Sequence, residues 1–118
     1  MTDSNLSFDL AVTFPTPTTG DFVLTQGGKL VDGNISVEQP ETVTYTLINS
    51  PGVVFTDPQV TGDLNNNISH TFSDDKTQLF ITDSDHEVET ICIKFVVINP
   101  ANDAEVVSPD PQYSNIPR

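Results

Sequence analysis

The chain has 118 residues and a formal net charge of −13, with 4 basic side chains against 17 acidic ones. Because nucleic acids and anionic membranes bind clustered lysine and arginine, we expect neither of them as a partner. The only cysteine, Cys92, excludes an internal disulfide framework, and we expect it to be an inert thiol that points into the core.

Short segments with the pattern of β-strands follow one another along the chain. Phe8 and Phe14 bound the clearest of them, in which apolar and polar residues alternate with a period of two. The predicted extended segments are 8–14, 22–25, 29–31, 34–37, 42–48, 53–56, 68–72, 78–82, 90–99 and 104–107. The turn signals between them are Gly27-Gly28, Asp32-Gly33, Asn49–Gly52, Asp57-Pro58 and Ser73–Lys76.

No apolar pattern of helical period persists for three turns, so the chain is predicted to be all-β. We expect an immunoglobulin-like Greek-key β-sandwich of about seven strands in two antiparallel sheets. The length suits a single domain over residues 1–118. The polar N-terminus lacks the pattern of a signal peptide, and the cytoplasm is the expected location.

Residues 90–99 form the longest apolar run and carry Lys94 in their middle. Such a run predicts a central strand that is covered on both faces. An ammonium group there would lose hydration, so it would have to pair with a carboxylate, lose its proton or become covalently linked.

The Asp110-Pro111 peptide bond is the second feature with chemical potential. The Asp110 carboxyl can attack its own main-chain carbonyl carbon, form a cyclic anhydride and expel the proline nitrogen, which belongs to a weaker tertiary amide. Lys94 could stabilise the developing negative charge, or, when neutral, open the anhydride and form an isopeptide bond.

Simpler interpretations exist for both features. Asp-Pro dipeptides commonly begin turns, and we expect this role for Asp57-Pro58. A strand lysine commonly lies at an edge or extends its amine to water. From the residues alone, an ion pair between Lys94 and a carboxylate is favoured over self-cleavage.

With these features the chain resembles the DP-EP family of small bacterial proteins. The resemblance rests on strands 8–14 and 42–48, on the strand around Lys94 and on Ser108-Pro109-Asp110-Pro111. It implies a seven-stranded immunoglobulin-like sandwich with aspartic-peptidase-like self-cleavage at an Asp-Pro bond near the C-terminus.

Carried over by position, the resemblance makes Asp110 the catalytic and cleaved residue, Pro111 the leaving side and Lys94 the linkage partner. The cleaved segment 111–118 would remain bound as a partner of the rest of the chain. For a second acid that assists the reaction, Glu89 is the first choice and Glu105 the next.

Other candidate sites are weaker, and we expect no metal or cofactor. Asp83, Asp85 and Glu87 alternate as in a calcium loop, but the required glycine and bidentate glutamate are missing, so a solvated acidic loop is favoured. His70 and His86 are far apart in sequence, which argues against a zinc set. The alternative function is a non-catalytic immunoglobulin-like module that recruits an unknown protein partner, and a weaker one is a calcium-stabilised module.

Overall fold

The computed structural model describes residues 4–31, 35–37, 41–63, 68–84, 89–108 and 112–115. This part of the chain contains strands and turns but no helix, which confirms the all-β prediction. Its eleven strands are β1 (Ser4–Thr16), β2 (Thr19–Gln26), β3 (Lys29–Leu30), β4 (Ile35–Val37), β5 (Glu41–Leu47), β6 (Val54–Thr61), β7 (Ile68–Phe72), β8 (Gln78–Asp83), β9 (Glu89–Ile98), β10 (Glu105–Val107) and β11 (Gln112–Asn115). Within these ranges, no helical segment has the length and apolar character that crossing a membrane requires.

The strands form two sheets. One has six strands in the order β3-β2-β1-β5-β8-β7, and the other has five, in the order β10-β9-β11-β4 with β6 also paired to β9. Most neighbouring strands are antiparallel, but β1 runs parallel to β5 and β4 runs parallel to β11. The sheets therefore differ in these two pairs from the fully antiparallel arrangement expected. The strand count exceeds seven partly because β3, β4 and β10 are only two or three residues long.

Strand β9 is central to the five-stranded sheet, as predicted. Strand β6 follows one of its edges from Ile98 to Cys92. Because a strand has only two edges, β10 and β11 must share the other one, β10 beside Val96–Ile98 and β11 beside Glu89–Cys92. The immunoglobulin-like Greek-key connectivity stays a prediction.

The core lies between the two sheets and contains side chains from both. Tyr45 of β5 is fully buried, and its ring packs edge-on against Phe95 of β9 at 4.5 Å and stacks on Phe8 of β1 at 5.5 Å. The buried apolar cluster consists of Phe8, Leu10, Val12, Ile35, Val43, Tyr45, Val53, Phe55, Leu79, Ile81, Ile91, Ile93, Phe95, Val97 and Val106. A single buried cluster with side chains from both sheets is the arrangement of a β-sandwich.

The expectation that residues 90–99 are covered on both faces holds only in part, because the outer face is buried at Val96 but only half-buried at Cys92 and Lys94. The residues of β9 that are buried in the cluster between the sheets are Ile91, Ile93, Phe95 and Val97. Lys94 and Cys92 alternate with these residues, lie on the outer face and are half-buried, so the cysteine does not point into the core. Val96 also lies on the outer face and is buried, so apolar residues occupy positions on both faces of this strand.

The predicted turn at Asp57-Pro58 is also wrong, since both residues lie inside β6. The pairing of β6 with β9 shifts register between Thr56 and Gln59, so this dipeptide forms a β-bulge opposite Phe95. A bulge tolerates proline because the missing N–H is not needed for the ladder there. The turns at 27–28, 49–52 and 73–76 lie where they were predicted, whereas Asp32-Gly33 falls outside the described residues.

Candidate functional site

Lys94 lies in the middle of β9, on the outer face of the five-stranded sheet. Its neighbour across the ladder on β6 is Gln59, and Cys92 is the next residue along β9 on the same face. The residue is half-buried and lies outside the space between the sheets. Lys94 makes polar interactions with its surroundings.

The other edge of β9 carries two ladders that differ in register by one residue. Val107 of β10 lies opposite Val96, and Gln112 of β11 lies opposite Cys92. Between these two pairs β9 has the three residues 93–95, whereas the chain facing it has the four residues 108–111. The segment that joins β10 to β11 therefore carries one residue more than a regular ladder needs, as in a β-bulge.

Asp110 and Pro111 belong to this joining segment, and both lie outside the described residues. The described flanks set where the segment begins and ends. Ser108 is held beside Phe95 by a backbone hydrogen bond of 2.8 Å, and Gln112 pairs with Cys92. The residues of β9 between these two attachment points are Ile93 and Lys94. The meeting of the Asp110 carboxyl with the Lys94 amine stays a prediction.

The two acids considered for assistance are distant from Lys94 along the sheet. Glu89 begins β9, five residues before Lys94, which corresponds to ~17 Å along a strand. Its side chain lies outside the described part. Glu105 is exposed and pairs with Ile98, four residues beyond Lys94, or ~14 Å along the strand. The spacing thus favours neither of them as a direct neighbour of the amine.

The second Asp-Pro dipeptide lies on the opposite edge of β9. Asp57 is 83% exposed, and its Oδ1 lies 3.2 Å from Nε2 of His70 on β7. This contact joins the edges of the two sheets. Among the described residues, no group of three or more histidine, cysteine, aspartate or glutamate side chains could hold a metal ion. His86, Asp85 and Glu87 fall outside those residues.

The sequence interpretation missed a buried pair of acids, and its assignment of one of them, Asp83, to a solvated acidic loop is wrong, since this residue is buried at the end of β8. Glu41 of β5 and Asp83 of β8 lie directly opposite each other in the ladder and are 8% and 0% exposed. A signal was present, since Glu41 continues the inward alternation of Val43 and Tyr45. The pair lies where β5 begins and β8 ends.

Ser108 makes a defined contact that the sequence motif did not predict. The residue is 4% exposed, and its Oγ accepts a hydrogen bond of 2.7 Å from the backbone N–H of Phe95. Its own backbone N–H donates to the Phe95 carbonyl. This serine lies at the point where the chain leaves β10 for the segment that contains Asp110.

The fold and the site define a two-sheet all-β protein whose central strand presents a lysine on its outer face, beside the edge that carries the C-terminal segment. A model of the DP-EP family matches residues 7–117, which is nearly the whole chain, and the chain belongs to the DP-EP family. The resemblance inferred from the sequence is thereby confirmed.

Two other comparisons add little. Among curated proteins, none matches this chain. Among solved structures, the chain is similar to the inclusion body protein PixA from Burkholderia cenocepacia, over 94% of this chain and 92% of that one, at 8% sequence identity and a TM-score of 0.37. A similarity at this level carries no inference about function.

Proposed function

We propose that this protein is a self-acting, aspartic-peptidase-like protein that cuts its own Asp110–Pro111 bond. The observation that carries the proposal is the register of β10 and β11 along the edge of β9 that they share. The described flanks of the joining segment attach at Phe95 and Cys92, on either side of Lys94. Because only three residues separate these flanks, we expect the Asp110–Pro111 bond to lie near Lys94.

The reaction needs only groups of this chain. An oxygen of the Asp110 carboxyl attacks the carbonyl carbon of the same residue, and the bond from that carbon to the Pro111 nitrogen breaks. The leaving nitrogen takes up the carboxyl proton, so the first step conserves all atoms and yields a five-membered anhydride and a free proline amine. A proline nitrogen favours this step because its tertiary amide has no N–H to hold in a ladder.

Lys94 has two roles in the proposal. As a cation it stabilises the negative charge that develops on the carbonyl oxygen. As a neutral amine it opens the anhydride, forming an amide bond to Asp110 and releasing one carboxylate and one proton. Water opening the anhydride instead would give an ordinary C-terminal aspartate.

The extra residue in the joining segment supports the same proposal. A peptide bond held in a regular ladder has its carbonyl engaged and its backbone extended, which hinders attack by a neighbouring side chain. One additional residue releases the local chain from that constraint. Bulges lie frequently beside reacting groups for this reason.

Intact mass under denaturing conditions tests the proposal. We expect the large fragment 1–110 and the peptide 111–118, and a large fragment lighter by one water where Lys94 has captured Asp110. Asp110→Ala should leave the chain whole, and Lys94→Met should abolish the crosslink. The matched control is Asp57→Ala, which removes the other Asp-Pro dipeptide and should leave the fragments unchanged.

An unmodified full-length mass after long incubation at mildly acidic pH would overturn the proposal. The protein would then be better described as a non-catalytic β-domain that binds a protein partner.

A further inference from the structure

A side chain takes the place of a main-chain acceptor where the chain leaves β10. In a regular antiparallel ladder, two residues that form a hydrogen-bonded pair donate to and accept from each other's backbone. Ser108 and Phe95 make only half of this exchange through the backbone, from the Ser108 N–H to the Phe95 carbonyl at 2.8 Å. The other half, from the Phe95 N–H, ends at the Ser108 Oγ at 2.7 Å.

This substitution changes the path of the chain. When the serine hydroxyl satisfies the Phe95 N–H, the Ser108 carbonyl is not required at the strand edge, and the backbone can turn away from β9 after this residue. The register supports this, since β10 up to Val107 and β11 from Gln112 differ by one residue along β9. The extra residue therefore lies between Ser108 and Gln112.

We infer that Ser108 is a positioning residue for the Asp110–Pro111 cut: its hydroxyl ends the β10 ladder and sets the one-residue offset of the segment that holds the scissile bond. This inference rests on the proposed function. Without the hydroxyl, the carbonyl of residue 108 would become the partner of the Phe95 N–H. The segment 109–111 would then be drawn towards a regular ladder, away from the geometry that the anhydride requires.

The chain contains a matched control for this contact. Ser50 Oγ accepts a hydrogen bond of 2.8 Å from the backbone N–H of Val12, at a half-buried position on the other sheet. Ser50→Ala therefore removes the same kind of bond from a place that the proposed reaction does not use. Comparing it with Ser108→Ala separates a loss of stability from a loss of positioning.

The test measures cleavage rates by intact mass together with melting temperatures. We expect Ser108→Ala to slow cleavage by about tenfold or more, since small misplacements of reacting groups have effects of this size. Ser108→Thr keeps an oxygen at the same position and should restore most of the rate. Ser50→Ala should lower the melting temperature without slowing the cut.

A second measurement follows the hydrogen bond itself. A coupling through the hydrogen bond from the Phe95 amide to the carbonyl of residue 108 should be absent in the wild type and present in Ser108→Ala. Cleavage of Ser108→Ala at the wild-type rate, or an unchanged bonding pattern at Phe95, would overturn the inference while leaving the proposed function intact. A wild-type chain that stays whole would overturn the proposed function, and with it the inference that Ser108 positions the segment for cleavage.

Discussion

Replacing Gly62 by alanine tests how tightly the end of β6 is held against β9. Gly62 has a φ of +83°, and a Cβ built there would lie 2.5 Å from the backbone oxygen of Thr90. Adopting this φ costs a residue with a Cβ about 1–2 kcal/mol. Crowding against well-packed atoms adds about 1–3 kcal/mol, and the obstacle here is backbone that cannot swing aside as a side chain would. We expect Gly62→Ala to lower the free energy of unfolding by about 2–5 kcal/mol.

Gly28→Ala is the matched control. Gly28 has the same φ of +83°, but a Cβ at this residue would meet no atom within 4 Å, so only the conformational cost of about 1–2 kcal/mol applies. Urea unfolding followed by circular dichroism, performed in the Asp110→Ala background so that cleavage does not intervene, measures both variants. We expect a clearly lower midpoint for Gly62→Ala. Equal losses in the two variants would refute the claim that contact with Thr90 makes Gly62 necessary.

Two further predictions concern other parts of the sheets. The Thr77 hydroxyl and then the Thr77 N–H, both donating to Asp75, lower the pKa of that carboxyl. Its contribution to stability is therefore present above its ordinary pKa and lost as pH falls through the lowered value. Amide protection factors in the β7–β8 hairpin, corrected for the pH dependence of intrinsic exchange, should fall in acid in the wild type and in Asp74→Asn, and should fall less steeply in Asp75→Asn. A Cβ at Gly20 would lie 2.9 Å from a methyl group of Val106. Gly20→Ala should therefore destabilise the wild type by about 1–3 kcal/mol and destabilise a Val106→Ala variant by less. Additive effects of the two substitutions in thermal unfolding would contradict this.

The strands with a clean period of two were predictable from the sequence. Segment 8–14 lies within β1, and segment 42–48 corresponds to β5 with a difference of one residue at each end. The hairpin around Ser73–Lys76 was predictable for the same reason, because alternation and turn residues are both local signals. These elements could be predicted without knowing which strands lie beside them.

Features that depend on a neighbouring strand could not be predicted. Asp57-Pro58 has the composition of a turn, and only the register of β6 against β9 makes it a bulge. The sequence did not indicate that Lys94 lies on the outer face, because apolar residues occupy both faces of β9. Strand β11 was missed because its segment is polar and follows a proline, so its pairing with β9 and β4 is visible only in the fold.

The placement of β11 bears on why the proposed reaction would need a lysine. Residues 112–115 pair with β9 on one edge and with β4 on the other, so two ladders would hold the peptide 111–118 after the bond broke. The freed proline amine would stay close to the anhydride, where its high effective concentration favours closing the bond again. A net cut is therefore favoured by a competitor for the anhydride that is held nearby. In the proposed reaction this competitor is the Lys94 amine, since the flanks of the segment attach to β9 on either side of it, and capture by Lys94 would make the cut irreversible.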